Sequence, residues 1–408
     1  MITTKNNEHK KLNVPNLRFP EFSGELKRAI FKNVITLQRG SSPRPIIEYI
    51  TTSNDGVNWI KIGDMPHFGR IVTFTEEKIT KEGAKKSRPV KKGDLILSNS
   101  MSYGLPYIMG IDGYIHDGWF VLKDFENTFD KDYLCNLLIS SAIQNQYKRL
   151  AAGGVVQNIS SDLVNSVSVS IPTMTEQKKI SSLLNLIDER IATQNKIIED
   201  LKKLKCAIIE NVLNSNHCTT LQLGDVGSYI RGLTYSSNDV VEDNGTLVMR
   251  SNNIVNGSPL DYKGDVVSVN KQISQEQQLQ NGDIVICMAN GSSALVGKSS
   301  FYDGECQSPI TVGAFCGIYR SKMPITKWIF QTNRYRRYIW NSLQGGNGAI
   351  ANLNCEDILR MQFPIPDKQI AERCTKLLSS IDSLIESNVS LYSKFSIQKK
   401  YLLRQMFI

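Results

Sequence analysis

The 408-residue sequence is poor in the groups on which metal and redox chemistry depend. It has four histidines and eight cysteines, and no two cysteines are spaced as Cys-x-x-Cys, so no zinc-ligand set is expected. Scattered single thiols fit a reducing compartment. No run of about 18 apolar residues exists to cross a bilayer. The stretch from Met1 to Lys11 is polar and lacks the apolar core of a secretory leader. These absences lead us to expect a cytoplasmic protein without a membrane partner.

Catalytic signatures are missing as well. The segment GSSALVGKSS, Gly291 to Ser300, looks at first like a phosphate loop, but five residues separate Gly291 from Gly297-Lys298-Ser299. A Walker loop has a shorter spacing, because successive backbone N–H groups must converge on one phosphate. No Asn-Pro-Pro-Tyr or Asp-Pro-Pro-Tyr is present for an adenine methyltransferase pocket, and no Gly-x-Ser-x-Gly elbow for acyl transfer. Pro366-Asp367-Lys368 lacks the further acidic and Lys residues of a nuclease centre. His116-Asp117 has the composition for acid–base chemistry, but no matching His occurs in the second half of the chain. A structural histidine is the expectation. No catalytic residue and no metal site are assigned.

What is present is basic charge and repetition. Lys and Arg number 48 against 39 Asp and Glu, a formal net charge of +9, which favours an anionic partner such as nucleic acid. The length allows at least two cores, since single cores stop growing near ~250–300 residues. The chain also matches itself. Val34 and Val226 correspond, as do Arg39-Gly40 and Arg231-Gly232, and Gly153-Gly154 and Gly345-Gly346, all at an offset of 192. VKKGDLILS (Val90 to Ser98) matches LQNGDIVIC (Leu279 to Cys287) at 189, and VSVSIP ending at Pro172 matches MQFPIP ending at Pro366 at 194. Loop insertions and deletions make such an offset drift.

Each copy carries the same order of elements. Short strand-like runs are broken by Gly, Asn and Pro, with DLILS and DIVIC each introduced by a Gly-Asp turn. A helical pattern follows, Tyr133 to Tyr147 and Trp328 to Leu343. A terminal strand with alternating apolar residues (Val167, Val169, Ile171; Met361, Phe363, Ile365) then stops at a proline that permits a helix start. After each proline, apolar residues step by four and three over more than four heptads, from Ile180 to Val212 and from Cys374 to Met406. This is the pattern of a coiled-coil seam. The polar exceptions coincide: Gln194 with Asn388 and Lys205 with Lys399, each pair 194 apart. A polar seam residue costs stability and fixes register, so the expectation is that the two helices pack on one another as an antiparallel pair, the alternative being that each helix caps its own domain.

The expected fold is mixed α/β (α+β). Two similar domains, 1–172 and 217–365, are separated by a central helix at 173–216 and a distal helix at 366–408, with an internal pseudo-twofold repeat.

Candidate DNA contacts follow from two rules: cations hold phosphates, and base edges are read by side chains that differ between copies. Arg39 and Arg231 sit at equivalent strand ends, as either guanine or phosphate contacts or simply as surface arginines on turns. Lys61 and Arg250 are also paired and suggest phosphate anchors. The loops after the Gly-Asp strands differ, offering Asn99, Ser100, Ser102 and Tyr103 in one copy and Asn290, Ser292, Ser293 and Lys298 in the other. Arg334, Arg336 and Arg337 alternate with tyrosines on a helix that either faces the DNA backbone or solvent. Gly153, Gly154, Gly345 and Gly346 would allow close approach to phosphate or serve as helix C-caps.

Three stretches carry a resemblance. NVPNLRFPEF (Asn13 to Phe22), GGVVQNIS (Gly153 to Ser160) and IPTMTEQKKISSLLNLID (Ile171 to Asp188) are similar, in this order, to segments of type I restriction-modification specificity subunits. The second copy departs, with Gln369-Ile370-Ala371 where the first has Glu176-Gln177-Lys178. The resemblance implies a non-catalytic subunit whose two target-recognition domains bind the two parts of an interrupted double-stranded DNA site. Its helices would dock two methylation (M) subunits, joined by restriction (R) subunits. S-adenosylmethionine, ATP and Mg would reside on those partners, with no cofactor in this chain. A specificity module of a bifunctional type II system, a scaffold organised by its coiled coil, and an enzyme of another kind are the competing readings.

Overall fold

A computed structural model describes residues 12–66, 68–99, 104–151, 158–215, 217–343 and 351–408. The chain divides into two compact units, Met1–Lys196 with Asn388–Ile408, and Ile197–Ser387.

In the first unit, one sheet runs Thr36–Arg39, Trp119–Lys123, Leu95–Ser98, Pro106–Met109, Ile71–Val72, and the second runs Ile50–Thr51, Glu77–Ile79, Val57–Ile60, Gly113–Ile115, Arg88–Val90. In the second unit the corresponding orders are Gly227–Arg231, Cys316–Ser321, Ile284–Cys287, Ser299–Phe301, and Val240–Val241, Val267–Val269, Thr246–Met249, Ile310–Val312. A parallel bridge from Pro259 to Phe301 stands where the first unit has its fifth strand. Leu95, Ile96 and Leu97, and Val285 and Ile286, have no exposed surface, as expected of central strands covered on both faces.

The Gly-Asp turns enter these central strands by one device. Gly93 and Gly282 adopt φ +92 and +89, a region in which a side chain is strained. The Asp94 carboxylate accepts from Lys91 N (2.9 Å) and Lys123 Nζ (2.6 Å). That of Asp283 accepts from Gln280 N (2.8 Å) and Arg320 (2.6 Å). Each turn is thereby tied to the neighbouring strand.

Each terminal strand pairs with the strand that opens its unit: Ser168–Ile171 with Lys27–Ile30, and Gln362–Pro366 with Cys218–Gln222. The expected helices before them are broken. Tyr133 to Tyr147 is two helices, Lys131–Ile139 and Ser141–Ala151, because Ser140 is extended and its hydroxyl donates to Leu137 O (2.6 Å). Trp328 to Leu343 is likewise Thr326–Ile329 and Asn333–Leu343, with Thr332 Oγ1 accepting from Tyr335 N (3.1 Å) at the second start.

The long helices are Met174–Leu213 and Lys368–Gln405, of 40 and 38 residues, so each is ~55–60 Å long at ~1.5 Å per residue. Within the first unit Ile180, Leu184 and Ile187 join Leu402, Met406 and Phe407 in the main core. Within the second, Ile209 and Leu213 join Leu378 and Ala371. Near the end of the central helix the buried positions are Ile209 and Leu213, whereas the seam residues Ile208 and Val212 are only half-buried. A straight helix drifts by ~20° per heptad against a 3.5-residue repeat, which accounts for this one-residue shift.

The start of the central helix is clamped. Arg18 donates to both oxygens of the buried Glu176 carboxylate at 2.7 and 2.8 Å, and this bond holds the guanidinium pKa up. Gln177 accepts from Asp130 N (2.9 Å) and donates to Thr128 O (2.9 Å) and Pro172 O (3.0 Å). Arg18 of the opening segment and Glu176 of the helix junction are thus structural partners.

Candidate nucleic-acid interface

In the first unit, three arginines gather around one turn. Arg39, exposed at a strand end, donates from Nε to Asp117 O (3.5 Å), and Arg88 Nε donates to Arg39 O (3.1 Å). Arg44, 80% exposed, pairs with the Asp117 carboxylate at 3.2 Å. Ser42 Oγ donates to the same carboxylate (2.7 Å) and Asn99 Nδ2 to Asp117 O (2.8 Å). The Ser42 bond, chief among the causes, lowers the Asp117 pKa. His116 closes the turn: its Nδ1 accepts from Gly118 N at 2.7 Å, and burial lowers its pKa. His116 is a folded-in part of the turn.

Gly40 and Gly232, after Arg39 and Arg231, recur for a steric reason. A Cβ on Gly40 would collide with the His116 carbonyl oxygen, and one on Gly232 with that of Gly313. Arg231 is exposed, and its carbonyl accepts from Gln277 Nε2 at 3.3 Å.

The other paired cations are engaged within their units. Lys61 and Arg250 each precede a one-turn 3-10 helix. Lys61 Nζ lies 2.7 Å from Glu77, and Arg250 lies 3.0 Å from Asp265. The Glu77 hydrogen bond raises the Lys61 pKa. Asn99 is buried.

In the second unit, Arg250 and Asn290 line one cleft of about 710 Å³ with Tyr235, Asn252 and Phe315. Ser293, Lys298 and Arg336 come together in another of about 670 Å³, beside the exposed Trp340. Ser292 is exposed at the start of the short 3-10 turn Ser293–Leu295. Arg334 and Arg337 border a smaller cleft with Tyr338, and the Arg334 guanidinium sits 5.8 Å from the Phe363 ring centroid. The phosphate-loop-like segment leads into strand Ser299–Phe301 rather than a helix, so it lacks the helix N-terminus that such a loop uses. Ser100, Ser102, Tyr103, Gly153, Gly154, Gly345 and Gly346 lie outside the described residues.

The four polar seam residues find partners. In the first unit Gln194 Nε2 donates to Asn388 Oδ1, and Lys399 pairs with Asp188, which also accepts from Arg70 at 3.0 Å. In the second, Lys205 pairs with Asp382 at 2.8 Å, and Asp382 also meets Lys327 (3.2 Å) and Trp328 Nε1 (3.3 Å). Burial lowers the pKa of both Lys327 and Lys399 against the pull of these carboxylates. Asp188 and Asp382 escaped the sequence reading because they flank the apolar seam, yet they too are 194 apart.

Among the described residues no helix is long and apolar enough to cross a membrane, and no cluster of His, Cys, Asp and Glu could hold a metal ion.

Residues 32–203 match the family model for the type I restriction modification DNA specificity domain. The chain is 34% identical over 172 residues to the type I restriction enzyme EcoKI specificity subunit of Escherichia coli K12, covering 39% of this chain and 35% of that protein. It is 33% identical over 178 residues to the StySPI specificity subunit of Salmonella potsdam, covering 40% and 37%. The matches thus span about a third of the length of these curated relatives. The crystal structure of a type I restriction-modification S subunit from M. genitalium superposes with a TM-score of 0.61 at 13% identity, over 97% of this chain and 99% of that one. A structure from a study of type I R-M complex assembly gives 0.55 at 14% identity, over 93% and 98%. At these identities the likeness is one of fold.

Proposed function

We propose, from the match of residues 32–203 to the type I restriction modification DNA specificity domain, that the whole chain is the DNA-specificity subunit of a type I restriction-modification complex. It binds an interrupted double-stranded site, each unit contacting one part, and is itself non-catalytic. Two M subunits methylate adenine with S-adenosylmethionine, and R subunits add ATP- and Mg-dependent restriction. The complex works in the cytoplasm.

The observation that carries this reading is the matched anchoring of the two units. Each contains a seam carboxylate, Asp188 or Asp382, holding a lysine from the other long helix and a cation from its own globular part, Arg70 or Lys327. Two such sites at a 194-residue offset support an antiparallel coiled coil with a pseudo-twofold repeat. Two similar units, each reading one part, suit an interrupted site. The long helices also leave apolar side chains in solvent, including Leu186, Ile197, Leu204, Leu377, Leu391, Ile397 and Tyr401. Such exposed apolar side chains fit packing against helices of M subunits.

The test is methylation mapping. The chain is co-expressed with its neighbouring methyltransferase subunit in a host without adenine methylation. One interrupted motif with methyladenine in both halves is expected. A soluble co-purified complex that methylates nothing would contradict the reading and favour the scaffold alternative.

A further inference from the structure

We propose that the turn preceding the last strand of each main sheet is a base-reading element, and that in the second unit Phe315 makes an apolar contact to a thymine methyl. This rests on the reading of the chain as a DNA-specificity subunit.

The two turns are structurally equivalent. Gly118 O accepts from Asn99 N (2.9 Å), and Phe315 O accepts from Met288 N (2.8 Å). Trp119 N donates back to His116 O (3.2 Å), and Cys316 N to Gly313 O (2.8 Å). The residue two before each strand start is Asp117 in one unit and Ala314 in the other. With the same backbone, the chemistry is opposite. The first turn offers the Asp117 carboxylate, paired with Arg44 and accepting from Ser42, while Arg39 donates to the Asp117 carbonyl. The second offers Ala314 and Phe315, with Phe315 68% exposed.

A lone exposed phenylalanine is common on protein surfaces. This one stands at a largely apolar cleft built from four separate segments, whose polar groups include those of Tyr235, Ser236, Asn252 and Asn290. A second backbone bond, Ala289 N to Phe315 O (3.1 Å), holds the turn still. Hydroxyls and amides around one apolar knob match the major-groove edge of an A·T pair, where a methyl lies beside hydrogen-bonding groups. Divergent chemistry on a conserved backbone is what reading two different half-sites requires.

The test uses the complex with its methylation subunits and duplexes carrying the mapped site. Each thymine of the half-site read by the second unit is replaced in turn by deoxyuridine, which removes only the methyl. Wild-type binding should weaken about fourfold at one position, the value of roughly one buried methyl. Phe315→Ala should show no further loss there. Because the wild-type result stands alone, misfolding of the variant cannot hide the answer. A half-site without thymine, or one in which every substitution leaves wild-type binding unchanged, overturns the assignment of Phe315 while leaving the proposed function standing. If the wild-type complex binds no interrupted site, both fall.

Discussion

At the scale of single residues, engagement separates the cations that the sequence could only pair. Arg39 and Arg231 remain exposed at strand ends, whereas Lys61 and Arg250 are held by Glu77 and Asp265. Replacing Arg39 or Arg231 with Gln should lower DNA affinity and reduce the salt slope of binding by about one unit each. Titrations at several salt concentrations measure this, and an unchanged slope would exclude phosphate contact. His116 gives a pH prediction. Its lowered pKa means that the unfolded chain takes up a proton at a higher pH than the folded one. Stability is therefore lost as pH falls below the ordinary histidine value, because protonation at Nδ1 forfeits the bond from Gly118 N. Denaturation midpoints at pH 7 and pH 5 should differ less in His116→Asn than in the wild type.

Elements were legible where period and turn chemistry are local. The Gly-Asp turns, the alternating terminal strands and the two long helices could all be read from residue order. The breaks at Ser140 and Thr332 could not, since each depends on a hydroxyl bonded to a nearby backbone group inside an otherwise helical run. Nor could the carboxylates Asp188 and Asp382, whose partners lie far along the chain. Asp382→Asn would leave Lys205 and Lys327 without the carboxylate that bridges them and should cost about 3–5 kcal/mol. Asp188 is more exposed, so Asp188→Asn should cost less. Urea unfolding of both variants ranks them, and equal effects would contradict the burial argument. Exchanging Gln194 and Asn388 together for leucine should leave stability equal or higher while loosening register. Light scattering would then report mixed species.

For the whole molecule, the repeat was the most readable feature, because offsets of 189 to 194 survive even where the residues diverge. The interface was less readable. Sequence order put base contacts in the loops after the Gly-Asp strands, and there Asn99 is buried as a structural donor to Asp117 O. One cleft joins the sequence-named Arg250 and Asn290 to Tyr235 and Phe315, residues far apart in the chain that the sequence did not single out. The central claim is that each unit addresses its own half-site independently. Its most direct measurement is methylation mapping after exchanging residues 219–365 for the corresponding domain of a subunit with another target. The account predicts a new sequence in one half of the motif, with the other half and the spacer length unchanged. A motif altered in both halves, or in neither, would contradict it.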